Sequence, residues 1–247
     1  MDIISAIFLG ALQGITEWLP VSSSAHLALA QHYFGVSAPV AFDVMLHFGT
    51  LLAVLAYFRK DIVRLASDIR YLWLIAVALI PTAIIGFAFK GFFESMFSQP
   101  ATIAVALLIT AVFLVVAERF SHESRKQGIL PAFVVGIAQG IAVAPGISRS
   151  GATIGAGMLL GLKKEDAAKF SFLLAVPAIL GASALEGVKA FSFAGIGAAE
   201  IIAGTAAAAI VGYFSIGLLL DFLKKGRLYV FSAYCVLLAL AVLALGN

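Results

Sequence analysis

Glu17, His26 and Arg149 are the side chains that combine reactive chemistry with an oily setting. Glu17 and His26 fall within "LQGITEWLPVSSSAH" (12–26), and Arg149 within "APGISRSGAT" (144–153). A guanidinium grips a phosphate through two parallel N–H bonds, which an ammonium cannot do. Arg149 therefore reads either as an anion clamp or as a structural counter-ion to Glu17. Gln13 lies four residues before Glu17, hence on the same helical face. Two oxygen-bearing side chains on one face can hold a hard divalent cation, Mg²⁺ or Ca²⁺, with phosphate oxygens and waters completing the shell. The alternative for Gln13 is a helix-joining contact.

Ser22, Ser23 and Ser24, with Ser148 and Ser150, suit two roles. They cap helix N-termini, or they ring an anion with hydroxyls, one serving as nucleophile if a base lies in reach. His26, four positions after Ser22, is the candidate base, acid or nucleophile. Thr153 lies about one helical turn beyond Arg149 and Ser150. It either donates a hydroxyl to a ligand or back-bonds within its own helix. Asp43 and His47 are four apart at the start of an apolar run, a helix-starting pair with a supporting role left open. Trp18 reads as a packing residue or a headgroup anchor.

The elements that position these residues follow from composition. The chain has 247 residues, 62% hydrophobic and 12% charged, with mean hydropathy +1.08. A soluble domain is about half apolar and about a quarter charged. The chain is thus read as an all-α, polytopic membrane protein forming one membrane domain. Asp2 and the lack of an N-terminal cation argue against a cleaved leader. The single cysteine, Cys235, excludes an internal disulfide. No nucleic-acid partner is expected. Membrane lipids surround the protein, and a second copy of the chain is the candidate protein partner.

A helix needs about 20 apolar residues to cross the hydrocarbon core. Six segments qualify, roughly 39–58, 71–89, 100–118, 166–188, 197–221 and 228–246. Residues 2–34 and 129–161 are apolar but broken by polar elbows, each predicting a re-entrant helical hairpin. Irregular backbone at membrane depth is tolerated only inside protein or beside a wet cavity. Six spans and two hairpins put Arg59, Lys60, Arg64 and Arg70 on one side. Arg119, Arg125 and Lys126 fall on that side too, with Lys163, Lys164, Lys169, Lys224, Lys225 and Arg227. The other side keeps Lys90 and Lys189, and Glu186 and Glu200 near span ends. The cation-rich side is cytoplasmic by the positive-inside rule. Both termini and the mouth of the first hairpin then face outward.

The chain is also doubled. Shifted by 126 positions, "GALQGITEWLPVSSS" (10–24) falls on "GIAQGIAVAPGISRS" (136–150) without a gap. Each half, about 1–125 and 126–247, then holds one hairpin and three spans. Three is odd, so the halves insert in opposite senses. Inverted repeats with broken helices build polar sites at the repeat interface, near the bilayer midplane. The exposed N–H groups of a helix start carry a partial positive charge and receive anions such as phosphate.

At "QGITEWLPVSSSAH" and "PGISRSGAT" the chain resembles the integral-membrane undecaprenyl-diphosphate phosphatases, a bacitracin-resistance protein type. Gln13, Glu17, Pro20, Ser22, Ser23 and His26 match the first motif of that family. Pro145, Gly146, Ser148, Arg149, Ser150 and Thr153 match the second. The resemblance extends over the whole chain, including "FSFLLAVPAILGA" (170–182). Gln13 is the uncharged option at its position, so cation binding leans on Glu17. Ala25 stands where many relatives have glycine. The resemblance implies hydrolysis of undecaprenyl diphosphate to undecaprenyl phosphate and inorganic phosphate, recycling the carrier lipid for cell-wall synthesis. It further implies a divalent cation, an outward-opening site and a bacterial inner membrane. In that reading Ser23 or His26 attacks the terminal phosphorus, or His26 activates water or protonates the leaving group, with Glu17 and Arg149 stabilising charge. The competing class is a transporter or flippase for a lipid phosphate or other anion, because inverted repeats serve transport equally well.

Overall fold

A computed structural model describes residues 1–35, 38–190 and 196–246, with backbone alone for residue 66 and residues 186–190. The expectations for Glu186 and Lys189 fall outside the described side chains. Among the described residues the chain is entirely helical. In chain order the helices are α1 (Ile3–Trp18), α2 (Ser23–Phe34), α3 (Val40–Tyr57), α4 (Arg59–Ala66), α5 (Ile69–Ala88) and α6 (Lys90–Met96). They continue with α7 (Pro100–Phe120), α8 (Ile129–Ile141), α9 (Arg149–Leu159), α10 (Lys164–Ala190), α11 (Ala198–Lys224) and α12 (Tyr229–Leu245).

Among the described residues five helices are long and apolar enough to cross a membrane: α3, α5, α7, α10 and α11. Their outer faces are apolar to match, with Ile84, Val112 and Phe214 all mostly exposed. In a soluble protein such surface would drive association; in lipid it costs nothing. The expected last span is α12, shorter at 17 residues. The sequence reading did not foresee α4 and α6. α4, "RKDIVRLA", takes up cations Arg59, Lys60 and Arg64 that follow the first span. Asp61 of α4 accepts a 2.7 Å hydrogen bond from Lys169 of α10.

Both interrupted segments are broken helices. Proline bars the helical conformation of the residue before it. Accordingly α1 ends at Trp18, and Leu19 is extended (φ −69°, ψ 146°) ahead of Pro20. The second break runs from Ala142 to Ser148 and turns at Gly146, whose φ of +95° suits a residue without a side chain. A Cβ there would also stand 2.6 Å from the Ile103 carbonyl oxygen of α7.

The long helices cradle the short ones. α1 packs on α11 and α3, α8 on α5 and α9, and α7 on α12. The closest approaches are backbone against backbone. A Cβ on Gly10 would lie 2.2 Å from the Gly204 oxygen, and one on Gly136 would lie 2.1 Å from the Ala78 oxygen. One turn further, a Cβ on Gly14 would meet Val211, and one on Gly140 would meet Ile85. Each contact in the first half maps onto its counterpart by the same 126-residue step read from the sequence.

Candidate active site

The two elbows meet. The Gly146 N–H of the second elbow donates to the Ser22 hydroxyl of the first at 3.1 Å. The Ser150 hydroxyl donates back to the Leu19 carbonyl at 3.0 Å. A third strut comes from α7, where Thr110 donates to the Gly146 carbonyl at 2.8 Å and accepts from the Ser148 N–H at 3.1 Å. Ser148 caps α9 as its residue type predicts, accepting from the Gly151 N–H at 3.1 Å. Ser22 does not cap α2. It sits at a positive φ of 68° and makes no capping bond, because its hydroxyl is turned across to the other elbow.

Glu17, 132 residues away from Arg149 in sequence, is paired with it directly. Both are well buried, with side-chain exposures of 17% for Arg149 and 5% for Glu17. The guanidinium takes Oε1 of the carboxylate. Oε2 accepts from the Ser23 hydroxyl at 2.5 Å and from the Gln13 amide at 2.8 Å. Burying a charge pair is costly unless its remaining groups are hydrogen-bonded, and here nearly every group is. The exceptions are informative. Nη1 of Arg149 and Oε1 of Gln13 are buried without a hydrogen-bond partner among the described residues. One is a spare cationic donor and the other a spare acceptor. Buried polar atoms are nearly always paired, and these two, of complementary type, belong to residues that both bond to Glu17.

Trp18 belongs to this wall rather than to the headgroup region. It is fully buried, its ring 5.2 Å from the Arg149 guanidinium carbon and edge-on to Phe172. Desolvation strengthens such cation–π contacts.

His26 is placed differently from its sequence expectation. Its Nδ1 lies 2.8 Å from the Ser22 carbonyl, and its Nε2 lies 2.7 Å from the Tyr234 hydroxyl of α12. A carbonyl only accepts, so Nδ1 carries the proton, and in the neutral ring Nε2 accepts from tyrosine. Both ring nitrogens are thus engaged away from the serine hydroxyls, and the base in contact with a serine is Glu17. Thr153 back-bonds to the Arg149 carbonyl at 2.7 Å and pairs with Ser171 of α10 at 2.6 Å. It braces α9 rather than pointing a free hydroxyl at a ligand. Ser24 contacts Ser22 at 3.2 Å.

Three residues join the site without having been singled out for it: Tyr234, Ser171 and, beyond a supporting role left open, His47. His47 Nε2 stands 3.7 Å from Glu17 Oε2. Its Nδ1 is 2.8 Å from the carbonyl of Asp43, whose carboxylate is held by Gln31. A polar residue one or two turns into an apolar helix is the available signal for His47 and Ser171. Tyr234 carries none, since tyrosine is common at membrane edges.

A multi-pass membrane protein with a buried charge pair held between two helix starts is the class that fold and geometry define together. Comparison narrows it to one family. Residues 6–241 match the family described as Bacitracin resistance protein BacA, and the chain belongs to it. The chain is 43% identical to a protein named undecaprenyl-diphosphatase from Carboxydothermus hydrogenoformans, covering 99% of this chain and 98% of that one. It is 45% identical to one of the same name from Syntrophotalea carbinolica, covering 95% of each. A third, from Methanosphaera stadtmanae, is 39% identical over 99% of this chain and 98% of its own length.

Proposed function

We propose that this protein hydrolyses undecaprenyl diphosphate to undecaprenyl phosphate and inorganic phosphate, with Ser23 as nucleophile. One observation carries the mechanism: the Ser23 hydroxyl donates to Glu17 Oε2 at 2.5 Å while Arg149 holds the other oxygen. A serine attacks only when its proton has an acceptor in reach, and Glu17 is that acceptor. The Ser23 Oγ–P bond forms as the P–O bond to the lipid-bearing phosphate breaks. The serine proton passes to Glu17, and the lipid leaves as its monophosphate. Water then attacks the phosphoserine, releasing inorganic phosphate and restoring the hydroxyl. Arg149 Nη1, buried and unpartnered, takes a phosphate oxygen. Preorganised donors in a water-poor site supply the largest share of such rate enhancements.

Gln13 Oε1 and Glu17 suit a divalent cation, since the amide oxygen is buried and spare beside the carboxylate. When bound, a cation there would neutralise developing phosphate charge. His26, gripped at both nitrogens, holds the turn of the first elbow and ties it to α12.

The broader arrangement belongs to the same proposal. Six spans and two re-entrant hairpins form two inverted repeats, about 1–125 and 126–247, in a bacterial inner membrane, with termini and pocket mouth outward. The paired contacts Gly10–Gly204 and Gly136–Ala78 support this reading.

The test is to stop the reaction on purified protein with the terminal phosphorus of the substrate radiolabelled, then locate the label. Label on Ser23, absent from Ser23→Ala, supports the mechanism. Label on His26 overturns it, and turnover with no protein-bound label favours direct attack by water. No phosphate release from well-folded protein would shift the reading to transport of the lipid.

A further inference from the structure

Resting on the cation reading above, we propose that His47 supplies a nitrogen ligand to the site's divalent cation, completing a three-point set with Glu17 and Gln13. Its Nδ1 lies 2.8 Å from the Asp43 carbonyl of its own helix. That oxygen can only accept, so Nδ1 carries the hydrogen, and in the neutral ring Nε2 presents a lone pair. Metal-binding histidines are held in this way, donating the second ring N–H to a carbonyl or carboxylate that fixes tautomer and aim.

The aim is toward Glu17. Nε2 stands 3.7 Å from Oε2, too far for a hydrogen bond and well placed for two ligands on one ion. With the ring neutral, Nε2 and Oε2 are two acceptors facing each other, and a cation between them would serve both. Arg149 does not fill that place, because it takes Oε1 on the other side of the carboxylate. Gln13 closes the set. It is fully buried, its amide N–H occupied by Glu17, and its Oε1 has no partner among the described residues. No cluster of three His, Cys, Asp or Glu side chains occurs among the described residues, and the spare acceptor next to Glu17 is the Gln13 amide oxygen. The His47 side chain is about one-third exposed (32%), which gives an ion a way in past it.

The donor types set the preference. Ca²⁺ favours shells made wholly of oxygen. A nitrogen in the set moves selectivity toward Mn²⁺ and Zn²⁺.

The experiment uses the full-length protein in detergent, stripped with chelator and loaded with Mn²⁺ alone. Pulsed electron spin resonance detects imidazole nitrogen bound directly to Mn²⁺ through its modulation of the echo. The expected result is nitrogen modulation in the wild type, its loss in His47→Gln, and at least about tenfold weaker Mn²⁺ binding in that variant. Mn²⁺ should also outcompete Ca²⁺ in the wild type and lose that advantage in the variant. Bound Mn²⁺ without nitrogen modulation in the wild type overturns the proposal, and needs no variant to fold. Modulation that persists in His47→Gln overturns it too, as does an absence of Mn²⁺ binding. Phosphate release from undecaprenyl diphosphate by the same preparation separates the two readings. Release without nitrogen modulation sinks the ligand and leaves the phosphatase. Modulation without release keeps the ligand and sinks the phosphatase.

Discussion

The two oxygens of Glu17 serve different partners, so its loss and the loss of Ser23 have different signatures. Glu17→Gln removes the proton acceptor and leaves Arg149 buried without its counter-charge. Phosphate release should fall about 10²–10⁴-fold, and stability by about 3–5 kcal/mol, the usual cost of orphaning a buried charge. Combining Glu17→Gln with Arg149→Met should restore much of the thermal stability in detergent and none of the activity. Ser23→Ala should abolish release with little change in melting temperature. Ser22 makes a third case. Its positive φ carries about 1–3 kcal/mol of strain, set against a cross-elbow hydrogen bond worth about 0.5–1.5 kcal/mol. Ser22→Ala loses the bond and keeps the strain, whereas Ser22→Gly loses both. The glycine variant should therefore melt higher than the alanine variant. Glu17, Arg149 and the serines were legible in the sequence because charge and hydroxyls in an apolar run have few bland explanations. Tyr234, the partner of His26, was not, because it reaches that ring from a helix far along the chain. The division of labour between Glu17 and His26 was also hidden. It depends on which way a ring and a hydroxyl turn, and spacing does not encode that.

At the scale of elements, the short helices are held by backbone contact with the long ones. Gly10→Ala and Gly136→Ala would each press a methyl group to within about 2 Å of a carbonyl on a neighbouring helix. Both should destabilise by about 1–3 kcal/mol or more, and by similar amounts if the halves are equivalent. Gly181→Ala on α10, with no neighbour within 4 Å of the added carbon, should be neutral or slightly stabilising. Melting curves of the three variants in one detergent check the contrast. Span positions were readable to within a few residues, because about 20 consecutive apolar residues have one common meaning. The elbows were readable from Pro20 and the serines. α4 and α6 were not, since a seven- or eight-residue helix at a membrane edge leaves little periodicity to read. Pro81 lies inside α5, and the span expected over 71–89 continues through it.

For the whole molecule, the arrangement of cations predicts sidedness, and Cys235 makes the test simple. It is the single cysteine and is buried, so Cys235→Ala gives a background for placing reporter thiols. Asp2→Cys should react with an impermeant maleimide added to intact cells, and Arg125→Cys only after the cells are opened. The reverse pattern would invert the proposed topology. The Glu17–Arg149 pair also bears on how the protein is made. The acid is translated first, and 132 residues must follow before its base emerges. Throughout that interval the carboxylate lacks its arginine and has only early partners such as Gln13 and Ser23, and a charge pushed to the bilayer centre costs a few kcal/mol. The ribosome thus delivers a half-finished protein whose most polar residue has every reason to wait near water. The pairing of that residue with Arg149 can form only once the second elbow has been made.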